Sequence, residues 1–190
     1  MKKMLIAMLM VLVFSQMTLG NFMFHGEADY YTTDSLDREV LREAKFAYED
    51  DTVFILLQSG DEFLVPIETL DEALETYHDW RKTALENEVT TDKEINYNSK
   101  PMFFFTTNLH AGLSKVRYGM VSETMEDHRF YIYIDEVVSA DNQYISSRPN
   151  DRMVFTYDQI EELEYRISEE AFEEVEQKQS EQEKVDELFQ

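Results

Sequence analysis

Two histidines, His110 and His128, lie in predicted connections on either side of one predicted strand. Imidazole nitrogens bind metals and move protons near neutral pH, so a close pair would be a candidate hydrolytic or metal centre. Three carboxylates, Glu123, Glu126 and Asp127, precede His128 and would supply further ligands or a general base. The spacing matches no specific catalytic or metal-binding motif, so the alternative is that both histidines are structural.

A second candidate is a surface of one predicted strand and its neighbour. From Arg129 to Glu136 apolar and polar residues alternate, which predicts a half-buried strand. One side of this strand carries Phe130, Ile132 and Ile134. The other side, with one face of the predicted strand 115–121, forms what we call the arginine–tyrosine face: Lys115, Arg117, Arg129, Tyr131 and Tyr133.

The arginine–tyrosine face has the composition of a binding surface, because arginine and tyrosine are enriched where proteins meet their partners. Its cations and phenols would suit an anionic or aromatic ligand. Two structural interpretations stay open. The face would be unavailable if a helix covered it, and its arginines would be occupied if they paired with the many carboxylates of the chain.

The stretch YHDWRK, Tyr77 to Lys82, gathers a histidine, an aspartate and the only tryptophan of the chain. Around it, apolar residues recur at helical spacing, which predicts an amphipathic helix that Thr69 and Glu72 begin as a capping box. Consecutive residues of a helix do not face each other, so His78 and its neighbour Asp79 cannot form a catalytic pair. The stretch is therefore interpreted as one side of an ordinary helix.

Composition excludes several functional classes. The chain of 190 residues has 40 acidic against 17 basic side chains, a net charge of −23, which argues against binding to nucleic acid or to anionic membrane surfaces. It has no cysteine, so disulfides and cysteine-ligated metals are excluded. It also lacks a phosphate-binding glycine loop and the zincin and serine-hydrolase motifs, and no cofactor is expected.

Residues 1–20 have the layout of a secretory signal peptide. Lys2 and Lys3 precede an apolar run from Met4 to Phe14, and Gly20 is the small residue at cleavage distance. The apolar run is too short to span a bilayer, which needs about 20 residues. We therefore expect export to a bacterial envelope, the periplasm or the medium, with no membrane span after cleavage. An uncleaved anchor is the alternative.

The remaining pattern predicts an α+β fold. A mostly antiparallel sheet would carry two amphipathic helices, as one domain over residues 21–175. Segment 34–44 is expected to be a short helix and segment 86–100 a loop. Segments 45–88 and 129–175 share a hairpin-then-helix pattern, which is either a degenerate duplication or a common motif occurring twice. Residues 176–190 are interpreted as an acidic, solvent-exposed helical or disordered tail.

Three functions stay open at this point. The first is binding of an unknown protein or small molecule by an exported protein, which the arginine–tyrosine face favours. The second is a hydrolytic or metal-dependent enzyme that uses His110 and His128. The third is docking to a partner through the C-terminal helix.

Overall fold

The computed structural model describes residues 23–34, 36, 38–49, 52–57, 62–95, 102–105, 112–139, 146–147 and 152–187. The predicted signal peptide and its cleavage site, as well as His110, lie outside the described residues. Among the described helices, none is both long and apolar enough to cross a membrane.

The described strands form one sheet in which every neighbouring pair is antiparallel. In chain order they are β1 (Met23–Thr33), β2 (Glu39–Glu49), β3 (Thr52–Leu57), β4 (Glu62–Pro66), β5 (Asp92–Ile95), β6 (Met102–Phe105), β7 (Gly112–Ser114), β8 (Val116–Ser122), β9 (His128–Ile134), β10 (Val137–Ser139), β11 (Ser146–Ser147) and β12 (Met153–Phe155). Their order across the sheet is β11-β10-β7-β6-β4-β3-β2-β1-β12-β9-β8-β5. The α+β prediction is confirmed.

Three helices accompany the sheet: α1 (Ile67–Asn87), α2 (Tyr157–Arg166) and α3 (Glu169–Glu187). Helix α1 contacts β5, β8 and β9, and α2 contacts β1, β9 and β12. Each helix turns apolar side chains inward, including Leu70 and Leu74 from α1 and Ile160 and Leu163 from α2. These side chains and one face of the central strands form a continuous core. Helix α3 contacts β1 through its first turns, where Ala171 and Phe172 are buried.

The predicted helix at 34–44 is wrong, because this segment is a tight connection followed by β2. The Asp34 carboxylate accepts hydrogen bonds from the backbone N–H groups of Leu36 (2.8 Å) and Arg38 (3.0 Å). It also accepts from the Arg38 guanidinium at 2.6 Å, and these bonds hold the pKa of Asp34 below its usual value. Such side-chain bonds to the backbone compete with helix formation. Strand β2 then pairs with β1 from Glu39 to Tyr48.

The start of α1 also differs from prediction. Helix α1 begins at Ile67, directly after β4, so Thr69 lies inside its first turn and does not cap it. Helix α2 is capped by Thr156, whose backbone N–H donates to Gln159 Oε1 at 2.9 Å. The helices thus begin 90 residues apart, at positions 67 and 157. The strands that precede the two helices differ in their partners, because β4 pairs with β3 and β6 whereas β12 pairs with β1 and β9. The duplication therefore stays a prediction.

Candidate functional site

The register between β8 and β9 brings four residues of the arginine–tyrosine face together. Arg117 lies opposite Tyr133, and Arg129 lies opposite Val121. Between them Tyr131 lies opposite Gly119. Directly paired residues share a side of the sheet, so these side chains lie on the side away from the core. Lys115, the fifth residue, immediately precedes β8 and is exposed, and it forms no ion pair with any described residue.

Strands β12 and β1 extend the arginine–tyrosine face beyond the residues that the sequence suggested. Val154 of β12 pairs with Tyr131 on one side and with Tyr31 of β1 on the other. Arg152, two residues before Val154, therefore lies on the same side of the sheet. Neither Tyr31 nor Arg152 was predicted, because segment 21–33 has no clear period and β12 is only three residues long.

Three arginine–tyrosine stacks cover this side of the sheet. The Arg152 guanidinium carbon lies 4.3 Å from the centre of the Tyr131 ring. The corresponding distances are 4.6 Å from Arg117 to Tyr133 and 5.8 Å from Arg129 to Tyr31. A cation over an aromatic ring is attracted by the ring's quadrupole. The rings on this side of the sheet are therefore placed where their faces receive guanidinium groups.

Each of these arginines is also paired with carboxylates. Arg129 binds Glu39 at 2.8 Å and Asp127 at 2.8 Å. Arg152 binds Asp92 at 3.1 Å.

Arg117 binds Glu94 at 3.1 Å and also contacts Asp135. Asp92 and Glu94 belong to β5, so the expectation that segment 86–100 is entirely a loop is wrong. The three guanidinium groups are therefore already engaged by five carboxylates of the same chain.

Tyr131 is buried on this side of the sheet, so its phenol is not exposed to a ligand. Its side chain lies over Gly119, where an added Cβ would come within 2.3 Å of the ring. The residue is only 3% exposed, and burial raises the pKa of its phenol. Glycine at position 119 is required by this close approach, because a side chain there would displace the ring.

A cavity of about 430 Å³ opens on this side of the sheet. We call it the cleft, and its lining residues are Tyr31, Thr32, Thr33, Glu39, Val121, Glu123, Tyr133, Arg152 and Val154. Its volume is within the range of small-molecule sites, about 300–1,000 Å³. Of the five predicted face residues, only Tyr133 lines it.

The second predicted candidate, His128, is buried beneath α1. The residue is 1% exposed, and its Nδ1 lies 2.6 Å from Ser122 Oγ. Ser122 Oγ also accepts a hydrogen bond from the Thr91 backbone N–H at 3.1 Å. The His128 Nε2 atom is buried without a hydrogen-bond partner among the described residues. Those residues also contain no group of three or more metal-ligating side chains.

Tyr77 ties α1 to the start of β9 by donating its hydroxyl proton to the His128 carbonyl at 2.7 Å. Burial raises the pKa of this phenol well above its ordinary value, so it remains a donor across the physiological range. Replacing Tyr77 with phenylalanine should lower the free energy of unfolding by about 1–2 kcal/mol, because a buried carbonyl loses its partner. Urea melts measure this, with Tyr157→Phe at a more exposed position as the control; equal effects would contradict the prediction.

His78 joins α1 to α2, a role that its neighbours in sequence do not indicate. Its Nε2 lies 2.6 Å from Glu164 Oε1, and the adjacent Arg81 guanidinium stacks 3.8 Å above the Tyr157 ring. Asp79 points to solvent. The interpretation of YHDWRK as one side of a helix agrees with this arrangement.

Asp71 on the same helix is expected to weaken the fold at neutral pH. Partial burial, together with nearby Glu75 and Glu164, raises the pKa of its carboxyl. A raised pKa means that the folded state favours the protonated form, so ionisation above pH 4 lowers stability. Asp71→Asn should therefore stabilise the protein at pH 7, by less than about 1 kcal/mol after solvent screening.

The pH dependence tests this expectation for Asp71. The stabilisation by Asp71→Asn should disappear as the pH falls below about 4, where the wild-type carboxyl is also protonated. Thermal melts between pH 3 and pH 7 measure it, with Asp79→Asn on the exposed side of α1 as the control. A gain that is independent of pH would show that the charge of Asp71 is not its cause.

Comparison of the chain with protein-family models, with curated proteins and with solved structures finds no match.

Proposed function

We propose that this chain is an exported binding protein of a bacterial envelope or the surrounding medium, and that its ligand occupies the cleft. In this proposal residues 1–20 direct export and are removed, and α1 and α2 act as amphipathic covers of one side of the sheet. The acidic segment 176–190 remains in solvent. The sequence pattern of residues 1–20 supports the export part of the proposal.

The observation that carries the binding proposal is the difference between the two sides of the sheet. On one side, β9 buries Phe130, Ile132 and Ile134 in the core that the helices complete. On the other side, Tyr133 of the same strand lines a cleft of ligand size. The lining of the cleft combines two tyrosines and two valines with charged and hydroxyl side chains, so it offers a ligand both apolar surface and polar groups.

The enzymatic alternative retains one supporting observation, the close contact between Ser122 and His128. A hydroxyl next to an imidazole is the arrangement of an activated nucleophile. Against it, the His128 side chain is buried and the residue is 1% exposed, so a substrate has no access to the ring. The docking alternative is supported by the exposed apolar Val185 near the end of α3.

Chemical-shift mapping of the isotopically labelled protein tests the binding proposal. The probes are spermidine, maltotriose and inorganic phosphate, chosen as a cation, a neutral polyol and an anion. We expect saturable shifts of the Tyr31, Tyr133 and Val154 amides for at least one probe, and their loss in Tyr133→Ala. Shifts only at α1 or α3, or no saturable shift with any probe, would contradict the proposal.

A further inference from the structure

We infer that the cleft takes a small organic cation, in which an ammonium or guanidinium group is carried on a short apolar chain. This inference rests on the proposed binding function and specifies the ligand class of the same site. It differs from the expectation of an anionic or aromatic ligand, which the sequence suggested from the cations and phenols of the arginine–tyrosine face.

The carboxylates on this side of the sheet outnumber its arginines. Arg117, Arg129 and Arg152 contact five carboxylates between them, so the positive charge of the three guanidinium groups is offset by a larger negative charge. The net charge of −23 for the whole chain also repels anions and attracts cations.

The described residues that line the cleft include two carboxylates and one guanidinium group. Glu39 and Glu123 line it together with Arg152, and Arg152 is already bound to Asp92. Glu39 accepts from Arg129 at 2.8 Å and keeps oxygen lone pairs for a second donor. Glu123 is exposed and forms no ion pair with a described residue. An ammonium or guanidinium group in the cleft would therefore meet two acceptors.

The remaining walls favour an organic rather than an inorganic cation. Tyr31 and Tyr133 line the cleft, and each already has an arginine of this chain near its ring. Aromatic rings of this kind attract organic cations, as in ammonium-binding cages. Val121 and Val154 provide apolar surface for a short chain. Hard metal ions require several oxygen ligands, and the described residues contain no group of three or more metal-ligating side chains.

Isothermal titration calorimetry of the whole protein with spermidine tests the inference. We expect saturable binding that weakens as the salt concentration rises. The double variant Glu39→Gln and Glu123→Gln should raise the dissociation constant about tenfold or more, since charged hydrogen bonds are lost. The matched control is the double variant Glu86→Gln and Glu88→Gln, which removes the same charge from exposed positions at the end of α1 that do not line the cleft. It should leave the dissociation constant within about twofold of that of the wild type.

The titration and the chemical-shift mapping together distinguish the possible results. A cleft-specific loss in the first double variant, with the control unchanged, supports the inference. Equal losses in both variants, or equal displacement by magnesium at matched ionic strength, would show nonspecific attraction and overturn it. Saturable shifts of the cleft amides with phosphate or maltotriose but not spermidine would overturn the ligand class and leave the binding function standing. Absence of shifts for all three probes would overturn both.

Discussion

Replacing Phe130 with alanine is expected to lower the free energy of unfolding by about 3–5 kcal/mol, as truncations of buried aromatics do. Phe130 is fully buried at the centre of an aromatic cluster. Its ring centre lies 5.6 Å from Tyr77 of α1, 6.0 Å from Tyr118 of β8 and 6.4 Å from Phe155 of β12. Its loss leaves a cavity between one helix and three strands. Urea melts followed by circular dichroism measure the change.

Tyr133→Ala is the matched control for Phe130, because it removes an aromatic ring from the same strand on the opposite side. Tyr133 is partly exposed and contacts the Arg117 guanidinium, so its removal should cost less than about 1 kcal/mol. The same variant should weaken ligand binding in the cleft. A stability loss as large as that of Phe130→Ala would show that the cleft side of the sheet also holds the fold together.

His128→Ala is expected to lower the free energy of unfolding by about 2–4 kcal/mol, through the lost packing and the unpaired Ser122 hydroxyl. His128 is 1% exposed, and its Nδ1 lies 2.6 Å from Ser122 Oγ. Thermal and urea melts measure this loss. The prediction assigns His128 a structural role, because solvent and substrate do not reach its ring.

His78→Ala is the control for His128, since its side chain is 36% exposed and its Glu164 partner is 38% exposed. The loss there should be below about 1 kcal/mol, because a partly exposed side-chain contact contributes little to stability. If His128→Ala left stability unchanged, the ring would not be a packing element. That result would contradict the structural role of His128.

The sequence by itself determined the features that depend on neighbouring residues. The alternation from Arg129 to Glu136 predicted which side of β9 faces the core, because successive side chains of a strand point to opposite faces. The helical spacing around Tyr77 predicted α1 and showed that His78 and Asp79 cannot act together. Both features are periodic, and a period can be read without knowing what the element packs against.

Local patterns were insufficient where side chains compete with the backbone. The apolar spacing in 34–44 suggested a helix, but the Asp34 carboxylate binds the backbone of Leu36 and Arg38 and turns the chain into a hairpin. The ten residue pairs between β1 and β2 then stabilise the strand. Tertiary pairing of this kind overrides a weak helical preference, because each strand pair adds backbone bonds and cross-strand contacts.

Only the tertiary structure decided which groups of the candidate site are free. Arg129 binds Glu39 across 90 residues of sequence, and His78 binds Glu164 across 86. Tyr31 and Arg152 join the cleft only because β12 lies between β1 and β9 in the sheet. Spacing along the chain carries no information about such distant partners. Charge pairing is settled by strand order, which places the arginines of this surface against carboxylates that are distant in the sequence.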